Sequence, residues 1–189
     1  MKRFSRLFLA PCFLALASSA FAGTIVATFD DLPGHNQPIP AVYAGINWGA
    51  VTWAYSDEFS GQYMPYSGTK AAYPITPPFV ADAEFSFADG DQIFVGAWFS
   101  GLYGATVQFG LYDDSALVWT SLELTTTLQP QFLSSGYSGP VDRVVIRTSN
   151  VAFWVIDDVT YSSIPEPSTY ALLGSGLLGL LAIRRKLGS

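Results

Sequence analysis

Apolar and polar residues alternate through most of the chain, with little of the three-to-four-residue spacing of an amphipathic helix. One example is Ile93, Val95, Ala97 and Phe99, which this alternation places on one face of a strand. Turn-forming residues such as Asp89-Gly90-Asp91 interrupt the pattern every 8–12 residues. The pattern predicts eight or nine short strands and an all-β fold, a jelly-roll-like β-sandwich.

The last two predicted strands, residues 141–147 and 151–161, are separated by Thr148-Ser149-Asn150. A connection this short is typical of a β-hairpin. The sequence therefore predicts that these two strands pair with each other.

The N-terminus has the order of parts of a secretory signal peptide. Lys2, Arg3 and Arg6 form a positive segment, residues 7–16 are apolar, and Ala20-Phe21-Ala22 is an A-x-A cleavage site. We expect residues 1–22 to be removed. The single cysteine, Cys12, lies in this segment, so the mature chain has no disulfide, catalytic thiolate or Cys-based zinc site.

The C-terminal segment, residues 164–189, combines three features in a fixed order. Pro165-Glu166-Pro167 is followed by an apolar run of 13 residues, 171–183, and then by the basic cluster Arg184-Arg185-Lys186. As a helix the run is ~20 Å long against a hydrocarbon core of ~30 Å. It can form a short transmembrane helix if flanking residues are added and the basic side chains reach the cytoplasmic surface.

This order of parts resembles the PEP-CTERM sorting signal of Gram-negative bacteria that make exopolysaccharide. The resemblance implies that an exosortase in the inner membrane recognises Pro165, Glu166 and Pro167 and cleaves nearby. It also implies export through the inner membrane, only transient membrane attachment, and final release at the cell surface or outside the cell. The alternative is an ordinary C-terminal membrane anchor.

Removal of both ends leaves a predicted β-sandwich ectodomain of residues 23–163. It has three basic side chains (Lys70, Arg143 and Arg147) against fourteen acidic ones, a net charge of −11. Nucleic acid is a poor partner for such a domain, because phosphates need cations to neutralise them. Divalent cations and neutral sugars are more compatible ligands.

The first and last strands of this domain carry a second resemblance. The segments 26–32 (VATFDDL), 40–48 (PAVYAGINW) and 153–159 (FWVIDDV) are similar to jelly-roll domains of bacterial surface proteins and carbohydrate-binding modules. Several such modules hold a structural calcium between an opening acid and a closing Asp pair. The resemblance therefore implies calcium ligands at Asp30 and Asp157.

The position of Asp157 adds a physical reason for a partner. Alternation places it on the more apolar face of the last strand, where a buried carboxylate needs a cation or several hydrogen-bond donors. Two alternatives to calcium remain open at this point. One is an ion pair with Arg143 or Arg147, and the other is capping by backbone amides.

Catalytic signatures are scarce. His35 is the only histidine, and no G-x-S-x-G nucleophile elbow or P-loop is found. Asp-Asp pairs lie at strand ends and turns, where acids are common for other reasons. The sequence therefore favours a protein that is not an enzyme, with a secreted glycan hydrolase as the alternative.

Aromatic residues in a Ser-, Gly- and Pro-rich stretch are the best candidates for ligand contacts. Tyr63, Tyr66 and Tyr73 lie in predicted loops, where exposed rings can stack on the faces of sugars. Four tryptophans lie inside predicted strands and are interpreted mainly as core: Trp48, Trp98, Trp119 and Trp154. We expect a surface or extracellular-matrix protein associated with exopolysaccharide and able to bind glycans; a purely structural adhesion module is the other alternative.

Overall fold

The computed structural model describes residues 23–49, 53–59, 61–75, 82–149 and 153–164, and five single helical positions, 174, 176, 178, 179 and 184. The predicted signal peptide and nearly all of the predicted sorting segment lie outside these residues. In the described part of the chain, no helix has the length and apolarity needed to cross a bilayer. Residues Ala22–Ile164 make up one compact unit.

All regular structure described within residues 23–164 is β-strand. The strands are β1 (Thr24–Ala27), β2 (Gln37–Pro38), β3 (Val42–Tyr43), β4 (Ile46–Asn47), β5 (Trp53–Ser56), β6 (Ala71–Pro74), β7 (Asp82–Phe87), β8 (Gln92–Gly101), β9 (Thr106–Asp113), β10 (Ala116–Thr120), β11 (Leu124–Thr125), β12 (Gln131–Ser134), β13 (Arg143–Thr148) and β14 (Trp154–Ser163).

The strands form two antiparallel sheets. Sheet 1 has the order β12-β8-β14-β6-β5-β2, and β1 pairs with the remaining length of β14. Sheet 2 has the order β10-β9-β13-β7-β4-β3, and β11 pairs with β9. The predicted all-β, two-sheet fold is confirmed.

The two sheets pack face to face through aromatic side chains. Phe99 of sheet 1 lies 5.7 Å from Phe109 of sheet 2, measured between ring centroids. Phe94 approaches the same Phe109 ring edge-on at 4.8 Å. Trp48 and Trp154 are both fully enclosed in this core, as predicted. Aromatic rings supply large apolar areas, which suits a domain with few charged residues.

Because of a bulge in β8, the predicted core face of that strand is right for Ala97 and Phe99 and wrong for Ile93 and Val95. Gly96 has φ +149°, and the register with β14 shifts there, so that Val95 is an extra residue. Phe94 and Ala97 therefore both point into the core, and Val95 is exposed. Strict alternation fails because one inserted residue reverses every side chain beyond it.

A second bulge lies in β14, where Asp158 has φ +44° and the register with β8 shifts. Trp154 and Ile156 face the core before the bulge, and Val159 and Tyr161 face it after the bulge. Asp157 therefore points to the outer side of sheet 1, away from the core. Strict alternation places Asp157 and Val159 on the same face of the last strand, and that prediction is wrong because of the bulge.

The predicted hairpin between the last two strands is also wrong. β13 pairs with β7 and β9 in sheet 2, whereas β14 pairs with β8, β6 and β1 in sheet 1. The two strands therefore belong to different sheets. As a result the last strand lies inside sheet 1, and its final residues pair with the first strand, Thr24 opposite Ser162.

Candidate functional site

A long loop, residues 57–70, joins β5 to β6 and extends across the outer side of sheet 1. Ser100 of β8 holds the middle of this 57–70 loop with two hydrogen bonds. The Met64 amide donates to Ser100 Oγ at 3.0 Å, and the Ser100 hydroxyl donates to the Met64 carbonyl at 2.8 Å. The loop is therefore fixed to a strand that is not its sequence neighbour.

Asp157 of β14 is the central anchor of the 57–70 loop. Its Oδ2 accepts the backbone amides of Tyr66 and Ser67 at 2.8 and 2.9 Å, and its Oδ1 accepts the amide of Asp158 at 2.8 Å. The side chain is 2% exposed. Burial raises the pKa of Asp157 to about 7, although the three amides act in the opposite direction.

Asp30 anchors the next part of the same loop. Its Oδ1 accepts the amides of Thr69 and Lys70 at 2.7 and 3.1 Å. Gly68, with φ +49°, passes so close that an added Cβ would lie 2.1 Å from the Asp30 carboxylate oxygens. Only glycine fits here, both for the backbone conformation and for the space.

The two acids predicted to share a calcium are thus brought to one loop, but their oxygens face amide donors. Calcium needs six to eight oxygen ligands, and N–H groups pointing at the carboxylates fit a cation poorly. No group of three or more His, Cys, Asp or Glu residues suited to a metal occurs in the described residues. The hydrogen bonds match the backbone-capping alternative, and calcium at Asp30 and Asp157 stays a prediction.

The arginine alternative does not hold for Asp157. Arg143 and Arg147 both lie on β13, in sheet 2. Arg143 donates to Glu84 at 2.9 Å, and Arg147 donates to the Tyr112 hydroxyl at 3.2 Å. Both guanidinium groups therefore bind partners in sheet 2, whereas Asp157 lies in sheet 1.

The pH dependence of stability separates amide capping from calcium binding. If only amides surround Asp157, its raised pKa makes the free energy of unfolding depend on pH. The contribution of Asp157 to that free energy is complete below about pH 4 and is lost as the pH rises through about 7. A bound calcium would favour the carboxylate and reverse this direction. We expect melting temperatures to fall from about pH 5 to about pH 8 in chelator, and Asp157→Asn to weaken the dependence. Calcium at a hundredfold above its Kd would stabilise the fold by ~2.7 kcal/mol, and chelator would remove that stabilisation. A melting temperature that falls on addition of chelator would therefore contradict capping by amides alone.

The ring of Tyr66 is stacked on Trp98, on the outer side of sheet 1. The two ring centroids are 3.5 Å apart and the planes are 8° from parallel. Trp98 in turn lies 5.5 Å from Phe132, its cross-strand partner on β12. Tyr66 is 48% exposed and Phe132 is 40% exposed, so these three rings form a surface that we call the aromatic platform.

The interpretation as core residues is therefore wrong for two of the four tryptophans. Trp98 is half-buried in the aromatic platform, and Trp119 on β10 is 43% exposed and stacked against Tyr137. Trp98 lies between Ala97 and Phe99, whose side chains face the core, so alternation alone turns it outwards. That alternation was the sequence signal which the interpretation of Trp98 as core overlooked.

Tyr63 and Tyr73 lie in a separate group around Phe59. Phe59 is nearly perpendicular to both rings, at centroid distances of 6.0 Å from Tyr63 and 6.4 Å from Tyr73. Both tyrosines are half-buried, and burial raises the pKa of each. They line a groove of about 180 Å³, here called the Tyr63 groove, together with Asn36, Ser56, Glu58, Phe59, Trp154 and Val155.

The rim of the Tyr63 groove is polar. Asn36 Oδ1 accepts the Tyr73 hydroxyl at 3.2 Å, and Glu58 lies 3.8 Å from His35. The structure thus brings Tyr63 and Tyr73 together and places Tyr66 with other partners. The sequence analysis did not identify Trp98, Phe132 or Glu58 as candidate ligand contacts.

The comparisons with known proteins identify the C-terminal segment. Residues 163–186 match the model of the PEP-CTERM protein-sorting motif. The predicted sorting motif is confirmed. The matched range contains Pro165, Glu166, Pro167, Arg184, Arg185 and Lys186, whose individual roles stay predictions. A PEP-CTERM motif indicates export and exosortase processing, with a destination at the cell surface or outside the cell.

Two solved structures similar to this chain are family 29 carbohydrate-binding modules, the class that the sequence resemblance names. One, a variant made to probe ligand recognition, has a TM-score of 0.44 and 13% identity, covering 75% of this chain and 93% of its own. Another has a TM-score of 0.44 and 12% identity, covering 75% and 89%. Similarity of this degree transfers neither a ligand nor a site. No curated protein matches the chain.

Proposed function

We propose that the ectodomain is a non-catalytic glycan-binding domain that holds the exported protein to exopolysaccharide. The observation that carries this proposal is the aromatic platform of Tyr66, Trp98 and Phe132. One face of the Tyr66 ring rests on Trp98, and its side chain remains 48% exposed. Apolar faces of sugar rings stack on aromatic rings of this kind.

The platform is held in place before any ligand binds. The Tyr66 amide is hydrogen-bonded to the buried Asp157, and the Tyr66 ring is stacked on Trp98. Met64, two residues earlier, is hydrogen-bonded to Ser100. Fixing a ring in advance reduces the entropy lost on binding. A rigid aromatic surface is therefore more consistent with ligand binding than with a loop that only covers the sheet.

The charge of the domain supports the same ligand class. With a net charge of −11 for residues 23–163, neutral sugars meet no electrostatic penalty at the platform. The sorting motif directs the protein towards the location where exopolysaccharide is found, as the resemblance implies.

Tyr66→Ala tests the proposal. We expect it to reduce retention of the ectodomain on the producer's own exopolysaccharide at least tenfold, because the stacking surface is lost. Its cost in stability should be about 1 kcal/mol, from the lost stacking on Trp98. Affinity electrophoresis and urea unfolding measure the two effects.

Tyr103→Ala is the matched control. Tyr103 is 78% exposed and packs edge-on against Phe153, so the variant also removes an exposed ring with one aromatic neighbour. It should leave retention unchanged. Unchanged retention by the Tyr66 variant would overturn the platform, and release of reducing sugars from the polymer would favour the hydrolase alternative.

A further inference from the structure

The Tyr63 groove differs from the aromatic platform in having an acid at its rim. The residues that line the groove include the aromatic Phe59, Tyr63 and Tyr73 and the polar Asn36, Ser56 and Glu58. A volume of about 180 Å³ suits one sugar unit rather than a long segment of polymer. This combination of flat apolar walls and oxygen acceptors is typical of a small polar ligand site.

Glu58 gives the groove a negative charge. Its side chain is 60% exposed, so the carboxylate is available to a ligand from solvent. Among the described residues that line the groove, none is a lysine or an arginine. An anionic sugar, such as a uronic acid, would meet the charge of Glu58 and no lysine or arginine among these residues. His35, whose Nε2 lies 3.8 Å from Glu58 Oε1, is a cation only when protonated.

The three basic side chains of the ectodomain have other partners. The Lys70 ammonium donates to the Leu32 carbonyl inside the domain, and its side chain is 9% exposed. Arg143 and Arg147 bind Glu84 and Tyr112 in sheet 2. The negative charge of Glu58 is therefore not offset by these cations.

We propose that the Tyr63 groove is a subsite for a sugar unit that carries a free, protonated amino group. The amine would donate to Glu58 and Asn36, and the sugar ring would lie against the aromatic walls. An ammonium beside Tyr or Phe rings also gains from the cation–π attraction. This inference rests on the proposed glycan-binding function and narrows its ligand to polymers containing unacetylated amino sugars.

The test compares two oligosaccharides that differ in one group. Isothermal titration of the ectodomain with a chitosan oligomer and with its fully N-acetylated counterpart, at about pH 6 and low salt, measures the preference for the free amine. We expect the chitosan oligomer to bind at least tenfold more tightly. Glu58→Gln should reduce that preference to less than threefold, since it removes the charge and keeps the shape.

Asp57→Asn is the matched control. Asp57 is exposed, adjoins Glu58 in sequence and does not line the groove, so its loss changes the net charge by the same amount. It should preserve the preference. An equal loss in both variants would show general attraction between an acidic domain and a cationic polymer, and would overturn the subsite.

The failure of this inference is distinguishable from that of the proposed function. Equal affinity for the two oligomers, with Tyr66-dependent retention on exopolysaccharide, overturns the amine subsite alone. A lack of binding to either oligomer and to exopolysaccharide overturns both. A preference for the chitosan oligomer that depends on Glu58 supports the subsite.

Discussion

Asp157→Ala is expected to destabilise the ectodomain by about 3 kcal/mol or more and to abolish glycan retention together with it. The substitution leaves the amides of Tyr66, Ser67 and Asp158 without their acceptor. Each buried donor that loses its partner costs about 1–3 kcal/mol, unless the loop opens and water replaces the carboxylate. An open 57–70 loop would move Tyr66 away from Trp98, so the platform is lost in either case.

Urea unfolding of the variant and affinity electrophoresis on exopolysaccharide measure these two losses. Asp91→Ala is the control, because Asp91 is an exposed acid outside the loop and its contacts. Asp157→Asn should lie between the wild type and the alanine variant, since one amide oxygen still accepts hydrogen bonds. An alanine variant as stable as the control would show that the loop does not depend on this carboxylate.

Glu166→Ala is expected to prevent release of nearly all of the protein. The PEP-CTERM match covers this position, and the motif indicates processing by an exosortase. Mass spectrometry of the surface or medium fraction should find the wild-type protein without Arg184, Arg185 and Lys186. The Glu166 variant should instead accumulate in the inner membrane with these residues present.

Ser162→Ala, just before the matched residues, is the control and should be processed normally. Recovery of wild-type protein with an intact C-terminus from the released fraction would contradict exosortase processing. Normal release of the Glu166 variant would show that this residue is not part of what the exosortase recognises.

Local sequence signals were sufficient for two parts of the molecule. The sorting motif is recognisable because its three parts are contiguous and depend on no tertiary contact. The strands were recognisable because half-buried strands alternate. The turn-forming residues Asp89-Gly90-Asp91 likewise lie between two strands, β7 and β8, and Gly90 has φ +79°.

The buried face of each strand, and the residues that contact one another, depended on information that local alternation does not contain. A single extra residue at Val95 places Phe94, instead of Val95, on the core face with Ala97 and Phe99. The contact between Asp157 and the Tyr66 amide spans 91 residues of sequence. The need of Asp157 for a partner was foreseeable from its apolar surroundings, but the identity of the donors required the fold.

The pairing of the first strand with the last sets an order for folding during export. β14 occupies an interior position in sheet 1 and contacts β8, β6 and β1. A chain that leaves the export channel N-terminus first cannot close this sheet until residues 154–163 have emerged. Pairings so distant in sequence form slowly. The ectodomain should therefore cross the membrane unfolded and form its aromatic platform only on the far side.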